Sequence, residues 1–414
     1  MRTTEAARVA PPQAAPPIRS YNYALGYLKA AIIVLVVAHH AVLAYHPSAP
    51  PPPASLLKFP RIWQAFPVVD THGGPWAALF ATFNDIFFMA LMFFVSGLFV
   101  WKSLVRKGPG GYMRDRLVRL GIPFIPVALI VAPLAYYPTY LQLKSHGGFG
   151  DYLRVWASLG TWSAGPVWFL WVLLVFDLAA VLVFLAAPRW GESLGRLTAG
   201  AERRPARFFA ALVVVSGVAY SAMTLRFGPF YWAAWGPFTF QACRILLYFV
   251  YFLAGVGVGA WGLDRGLLSP QGKLAASWRL WVRVALPAFI AYAVTVMYVF
   301  SHPLPRTWQA AIVNVPVMAS MALFALSCAA SGFALLAVFL RFARSHSNLF
   351  ENLSKNAFGI FLVHFVFVSW CCYALLGIAL PPFVKFLLAF AGALALSWAA
   401  TILLRRIPGA ERIL

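Results

Sequence analysis

The sequence predicts an all-α, polytopic transmembrane helix bundle of about ten spans, with both termini cytoplasmic. Three observations carry this expectation. The 414-residue chain is 62% hydrophobic with a mean hydropathy of +0.77. Only 11% of its residues are charged, against ~25% in soluble domains. Its basic residues gather in alternate loops. The first two exclude a soluble globular enzyme, a disordered chain and a disulfide-stapled module. Runs of about 20 apolar residues are what absorb so much hydrophobicity.

Residues 1–20 are rich in Pro and Ala and lack an apolar core, which predicts a disordered cytoplasmic tail. Residues 21–405 form the transmembrane domain, and 406–414 a short cytoplasmic tail. The expected spans are 24–46, 77–103, 116–138, 167–187, 207–225, 242–262, 280–300, 309–341, 356–378 and 382–404. The first lacks a small-residue cleavage site and is read as retained. The eighth is too long for a simple crossing, so it tilts, bends near Ser331-Gly332 or extends beyond the membrane.

Loop charge tests the count. Arg2, Arg8 and Arg19 precede the first span, and Lys102, Arg106, Lys107, Arg114, Arg116 and Arg119 follow the second. Further basic groups follow the fourth, sixth, eighth and tenth spans. The intervening loops hold few: Lys58 and Arg61, Lys144 and Arg154, Arg226, Arg306, and Lys385 at the margin. Basic residues stay cytoplasmic, so this alternation sets the topology. It also accounts for the net charge of +22 with membrane lipid as partner and without nucleic acid. The cysteines Cys243, Cys328, Cys371 and Cys372 lie in apolar stretches without C-x-x-C spacing. They read as inert buried thiols, and no metal site is expected.

Ionisable groups at membrane depth are functional candidates. In the first span, Lys29 and His40 stand eleven residues apart, which is three helical turns and ~16 Å. They share a face and form a candidate polar track, while His39 points ~100° away. Histidine is suited to moving a proton near neutral pH. His364 is a second intramembrane histidine, preceded by Gly359, where another helix or a ligand can approach. Asp85 and Asp177 are the carboxylates deepest in the expected spans; either could pair with a histidine or Lys29, and the sequence does not say which. In the basic loop, Arg116 and Arg119 share a helical face by i,i+3 spacing, and arginine forks match phosphate oxygens.

These segments resemble the acyltransferase-3 family of integral membrane O-acyltransferases. Leu25 to Lys29 followed by His40 is similar to its L-D-x-L-R segment and the histidine beyond it, with Gly26 in place of the acid and Lys29 in place of the arginine. Phe93-Phe94-Val95-Ser96-Gly97-Leu98-Phe99 resembles F-F-x-S-G-[YF]-F. Residues 114–123 resemble R-x-x-R-L-x-x-P. Gly165-Pro166-Val167-Trp168-Phe169-Leu170 resembles G-H-L-W-F-L, with Pro166 replacing the histidine. Leu353 through His364 resembles L-S-x-x-[ST]-Y-G-I-Y-L-x-H. The matches run in order along nearly the whole chain, and their look resembles the branch that modifies periplasmic glucans.

The resemblance implies transfer of an acyl group from cytoplasmic acyl-CoA, a co-substrate and not a tightly bound cofactor. The acceptor is expected to be a hydroxyl of an extracytoplasmic or membrane-attached carbohydrate, and the location a bacterial inner membrane. His40 is the expected general base, assisted by Lys29. Ser96 and His364 are candidate donors to the tetrahedral oxyanion. Direct transfer and an acyl-histidine intermediate both fit. Arg114, Arg116 and Arg119 are expected on the CoA phosphates, and Trp168 and Phe169 against a sugar ring. The rival class is a proton-coupled transporter or flippase, disfavoured by the missing internal repeat and the aligned arginines.

Overall fold

The computed structural model describes residues 22–49, 65–143, 147–159, 162–302 and 314–414. Among these, ten helices are long and apolar enough to cross a membrane. The tail at 1–20 and Lys58, Arg61, Lys144 and Arg306 lie outside the described residues.

Helix α1 (Tyr23–Leu43) starts where the Asn22 side chain accepts the Leu25 N–H at 3.1 Å, an N-cap for an otherwise orphaned donor. It lies at the centre, against α2 (Pro75–Gly97), α13 (Val315–Phe342), α14 (Asn348–Leu375) and α15 (Pro382–Leu404). The apolar windows of α1 and α13 are 72% buried; those of α9 (Pro205–Phe227), α12 (Trp278–Phe300) and α15 are 22% buried. The first two therefore form the core, and the last three present most of their apolar surface outward. Helix α13 runs unbroken through Ser331-Gly332, so the eighth span does not break there.

The third span departs most from expectation. Helix α3 (Val100–Arg116) continues through α4 (Ile122–Pro126) to α5 (Ala132–Gln142), with π turns at Leu117–Gly121 and Val127–Val131. Gly108 has a φ of +70°, a left-handed conformation that glycine tolerates, and it bends α3. Pro123 and Pro126 lack N–H donors and crowd the preceding carbonyls, and the wide turns flank them.

Helix α6 (Phe149–Ser158) and helix α8 (Trp190–Thr198) are short peripheral pieces either side of α7 (Trp168–Ala186), and α11 (Lys273–Ala276) is a single turn packed on α13. A hairpin of β1 (Trp232–Trp235) and β2 (Phe238–Gln241) precedes α10 (Ile245–Trp261), with antiparallel register Trp232↔Gln241 through Trp235↔Phe238. Its turn contains Gly236 at φ +56°. The hairpin is an exception to the all-α expectation.

Close backbone approaches set how the helices around the site pack. A Cβ on Gly97 would stand 2.2 Å from the Phe252 carbonyl oxygen, and one on Gly259 1.9 Å from that of Leu98. Glycine thus lets α2 and α10 pack backbone to backbone. A Cβ on Gly359 would stand 2.3 Å from Thr401 Cγ2, so the partner of Gly359 is α15.

Candidate active site

The structure divides the candidate site residues between two ends of the bundle. At the histidine end, α1 and α14 run side by side and bring together two side chains 324 residues apart. His364 Nε2 lies 3.3 Å from His40 Nδ1. His40 Nδ1 also lies 2.8 Å from the Val36 carbonyl oxygen, and His364 Nδ1 lies 2.7 Å from that of Phe361. A carbonyl only accepts, so both Nδ1 atoms carry the proton. His364 Nε2 is then an acceptor for the His40 Nδ1–H, which is shared with Val36. This network assigns the tautomer and leaves His40 Nε2 with a free lone pair. His40 is half-buried, His364 fully buried, and the Phe365 ring stands edge-on to His40 at 5.3 Å.

His39, at 8% exposure, packs across the His40 ring at 5.3 Å and against Phe88 of α2 at 5.1 Å. Asp85 lies one turn before Phe88. Its Oδ2 accepts from Arg244 at 2.6 Å, and its backbone carbonyl accepts from the same guanidinium at 3.0 Å. Arg244 rests over the Phe324 ring at 4.8 Å. Asp177 Oδ1 accepts from Tyr112 at 2.5 Å, while its Oδ2 lies 3.2 Å from Arg116 Nε. Both carboxylates thus pair with arginine. The partners that the sequence leaves open for Asp85 and Asp177 are therefore arginines, each at the end of a facing helix, and neither is a histidine or Lys29.

At the lysine end, Lys29 stands over the Phe99 ring at 5.8 Å, within the field of Arg119. Among the described residues no carboxylate pairs with it. Ile33 and Val36 separate it from His40 on the same face and are closed over, so the polar track is interrupted by an apolar stretch. Ser96 belongs to this end. It is eight residues from Phe88, the ring beneath His39, which is ~12 Å of helix. The structure therefore does not bring Ser96 to His40. Arg114 and Arg119 are exposed, whereas Arg116 is engaged by Asp177 and Tyr112. The π turn between Arg116 and Arg119 moves them off a common face.

Trp168 and Phe169 are core residues. Phe169 packs on Phe93 at 4.7 Å and on Phe361 at 6.0 Å. Trp168 packs on Trp232 and Tyr248. Gly165, at φ +62° and against Phe365, opens the short turn that leads into α7.

Within the described residues, the segment 65–74 that leads into α2 pairs with the end of α1. The Asp70 N–H donates to the Ala44 carbonyl at 2.8 Å, and Gln142 brackets Val69, with its Nε2 2.6 Å from the Val69 carbonyl oxygen and its Oε1 3.2 Å from the Val69 nitrogen. Lys385 of α15 reaches Asp70 Oδ2 at 2.8 Å, with both side chains almost fully buried. Burial alone would raise the Asp70 carboxyl, but hydrogen bonds from Lys385 and His72 outweigh it and hold the group below the usual carboxylate range.

Comparison with known proteins identifies the framework. The family model for the acyltransferase domain of the acyltransferase-3 family matches residues 22–402. The chain belongs to the acyltransferase-3 family. No curated protein and no solved structure matches it. The acyltransferase-3 match encloses both ends of the bundle, and membership supports a multi-pass membrane O-acyltransferase. Arg244, Asp70 and Lys385 of this acyltransferase-3 chain do not stand out as site residues in the sequence. The available signal is position: Arg244 and Lys385 are basic residues at the end of the bundle where basic residues are scarce.

Proposed function

We propose that this acyltransferase-3 protein transfers an acyl group from acyl-CoA on the cytoplasmic side to a hydroxyl of a carbohydrate on the opposite side, in a bacterial inner membrane. The observation that carries the reading is the His40–His364 contact. It orients an imidazole whose Nε2 is unprotonated and half-open, which is what a general base requires.

In the reaction, His40 Nε2 takes the proton of the acceptor hydroxyl. The oxygen attacks the thioester carbonyl, forming a tetrahedral oxyanion. Its collapse breaks the C–S bond, and the CoA thiolate takes the proton back from His40. His364 acts through His40: its Nε2 accepts from the Nδ1–H and steadies the imidazolium that forms. The exposed Arg114 and Arg119, with Lys29 in the field of Arg119, form the basic patch for the CoA phosphates. Arg116 anchors that segment to α7.

The test uses the protein reconstituted in sealed vesicles of known orientation. Acyl-CoA is supplied on the face bearing Arg114 and Arg119, and a neutral saccharide on the other. Acylated saccharide is the expected product. Product formed only when both substrates share one face refutes transfer across the membrane. Movement of saccharide without acylation refutes the enzyme.

A further inference from the structure

The pair Asp85–Arg244 has a feature that an ion pair built only for packing lacks. Asp85 is near the middle of α2, on the opposite side from the outward-facing Leu79 and Phe83. Its side chain is nonetheless 42% exposed, while that of Arg244 is 7% exposed. The carboxylate therefore faces accessible space on the side of α2 away from Leu79 and Phe83. Asp85 Oδ1 has no hydrogen bond among the described residues. Two nitrogens beside it are also without partners although buried: Arg244 Nε and His39 Nδ1. Buried polar atoms of this kind are normally satisfied, so water or a ligand is needed to complete them. The same His39 ring lies against His40.

We infer that Asp85, Arg244 and His39 form the subsite that holds the acceptor, and that its ligand is a neutral polyhydroxyl group, such as the vicinal hydroxyls of a sugar ring. The inference rests on the acyl-transfer reading and specifies the acceptor end of that site. Its chemistry is selective. A hydroxyl both donates and accepts, so one hydroxyl donates to Asp85 Oδ1 while a neighbour accepts from Arg244 Nε. An anionic ligand would meet the open Asp85 carboxylate, and a cationic one the Arg244 guanidinium. A neutral diol meets neither penalty. Aromatic surfaces bound the space: Phe88 beneath His39, Phe324 beneath Arg244, and Tyr248 one turn along α10, stacked on Trp168 at 6.0 Å. Trp168 thus backs this subsite through Tyr248 and does not touch the sugar itself. Since His39 touches both Asp85's side of α2 and the His40 ring, a sugar held here presents a further hydroxyl towards His40 Nε2.

The test measures binding and turnover separately on detergent-purified full-length protein. Saturation-transfer NMR is run with neutral trisaccharides of glucose, mannose and galactose, and with glucose 6-phosphate and glucosamine as charged controls. The variant is Asp85→Asn/Arg244→Gln, which removes both charges and so leaves neither buried alone. Wild type should bind at least one neutral saccharide in preference to the charged controls. The double variant should bind it about 10- to 100-fold more weakly, as expected for losing hydrogen bonds to charged groups. The dissociation constant for acyl-CoA should not change. Unchanged saccharide affinity, a loss that falls on acyl-CoA instead, or wild type that binds no neutral saccharide overturns the subsite. If the double variant does not purify as a monodisperse protein, Arg244→Lys keeps the charge and removes Nε; unchanged saccharide affinity there also overturns it. Saccharide binding that depends on Asp85 without ester formation from acyl-CoA refutes the acyl-transfer reading and leaves the subsite standing. Ester formation with an unchanged acceptor KM in the variant does the reverse.

Discussion

Among the described residues, two aspartate–arginine pairs lie within the bundle, and they are built differently. Asp177 is fully enclosed: Tyr112 donates to its Oδ1, and its Oδ2 lies 3.2 Å from Arg116 Nε as an ion pair. Asp85 has one oxygen on Arg244, and its carboxylate faces accessible space. A closed pair holds elements together: here it ties the basic segment of α3 to α7. An open pair retains hydrogen-bonding capacity for something else. The contrast separates a clamp at the end bearing the basic segment from a receptive surface at the end bearing the His40–His364 contact.

The comparison is tested most severely at His40. Replacing His40 with Ala should lower kcat by about 10²- to 10⁴-fold, the usual contribution of a general base. Acyl-CoA binding, measured by equilibrium dialysis, should persist, because the proposed phosphate patch of Arg114 and Arg119 lies at the other end. Near wild-type turnover would remove the histidine pair from the chemistry. His364→Ala should cost less than His40→Ala, since it removes only the group that orients His40.

The closed pair should act on folding. Asp177→Ala leaves Arg116 without its counter-charge and Tyr112 without its acceptor. Breaking a buried pair from one side costs about 3–5 kcal/mol. Thermal unfolding in detergent should show a large fall in Tm, against a smaller one for Asp85→Ala, where water can enter. Equal losses would erase the distinction between clamp and receptive surface. By contrast, replacing the exposed Arg114 and Arg119 together with Gln should leave Tm nearly unchanged. It should raise the acyl-CoA KM about tenfold with little change in kcat, because phosphates are bound alike in ground and transition states. A fall in kcat alone would place those arginines elsewhere in the reaction.

The two ends are unequally legible in the sequence. The spans are readable because apolar length and loop charge are local properties, and the observed helices keep the expected order. Lys29, His40 and His364 are recognisable one by one as costly groups at membrane depth. The contact between His40 and His364 is not, because it depends on how α14 packs on α1 across 324 intervening residues. The partners of Asp85 and Asp177 are hidden for the same reason. Arg116 shows a second limit. Its charge is visible, but a guanidinium facing phosphate and one facing a buried carboxylate look identical in sequence. The π turns around Pro123 and Pro126 then break the i,i+3 argument that joins Arg116 to Arg119. The burial of Trp168 and Phe169 rests on packing against Phe93, Trp232, Tyr248 and Phe361, which lie far away in sequence, so their aromatic character alone does not report it.

The smallest expected effect belongs to the segment that leads into α2, where a third carboxylate, Asp70, is nearly buried and paired with Lys385. Here pH is the probe. Hydrogen bonds from Lys385 and His72 overcome burial and depress the Asp70 carboxyl. A carboxyl whose folded value lies below its unfolded one, ~3.9 for Asp, binds fewer protons when folded. Its stabilisation is therefore fully present above that unfolded value and is lost as pH falls through the lower folded value. Wild-type Tm in detergent should accordingly decline below about pH 4. Asp70→Asn should lower Tm by a few degrees at neutral pH, because Lys385 loses its counter-charge, and should flatten the acid decline. If the variant declines as steeply as wild type, another carboxylate governs acid stability. If Tm instead rises on removing the charge, desolvation outweighs pairing, and the segment that carries Asp70 is held by its Ala44, Thr139 and Gln142 contacts.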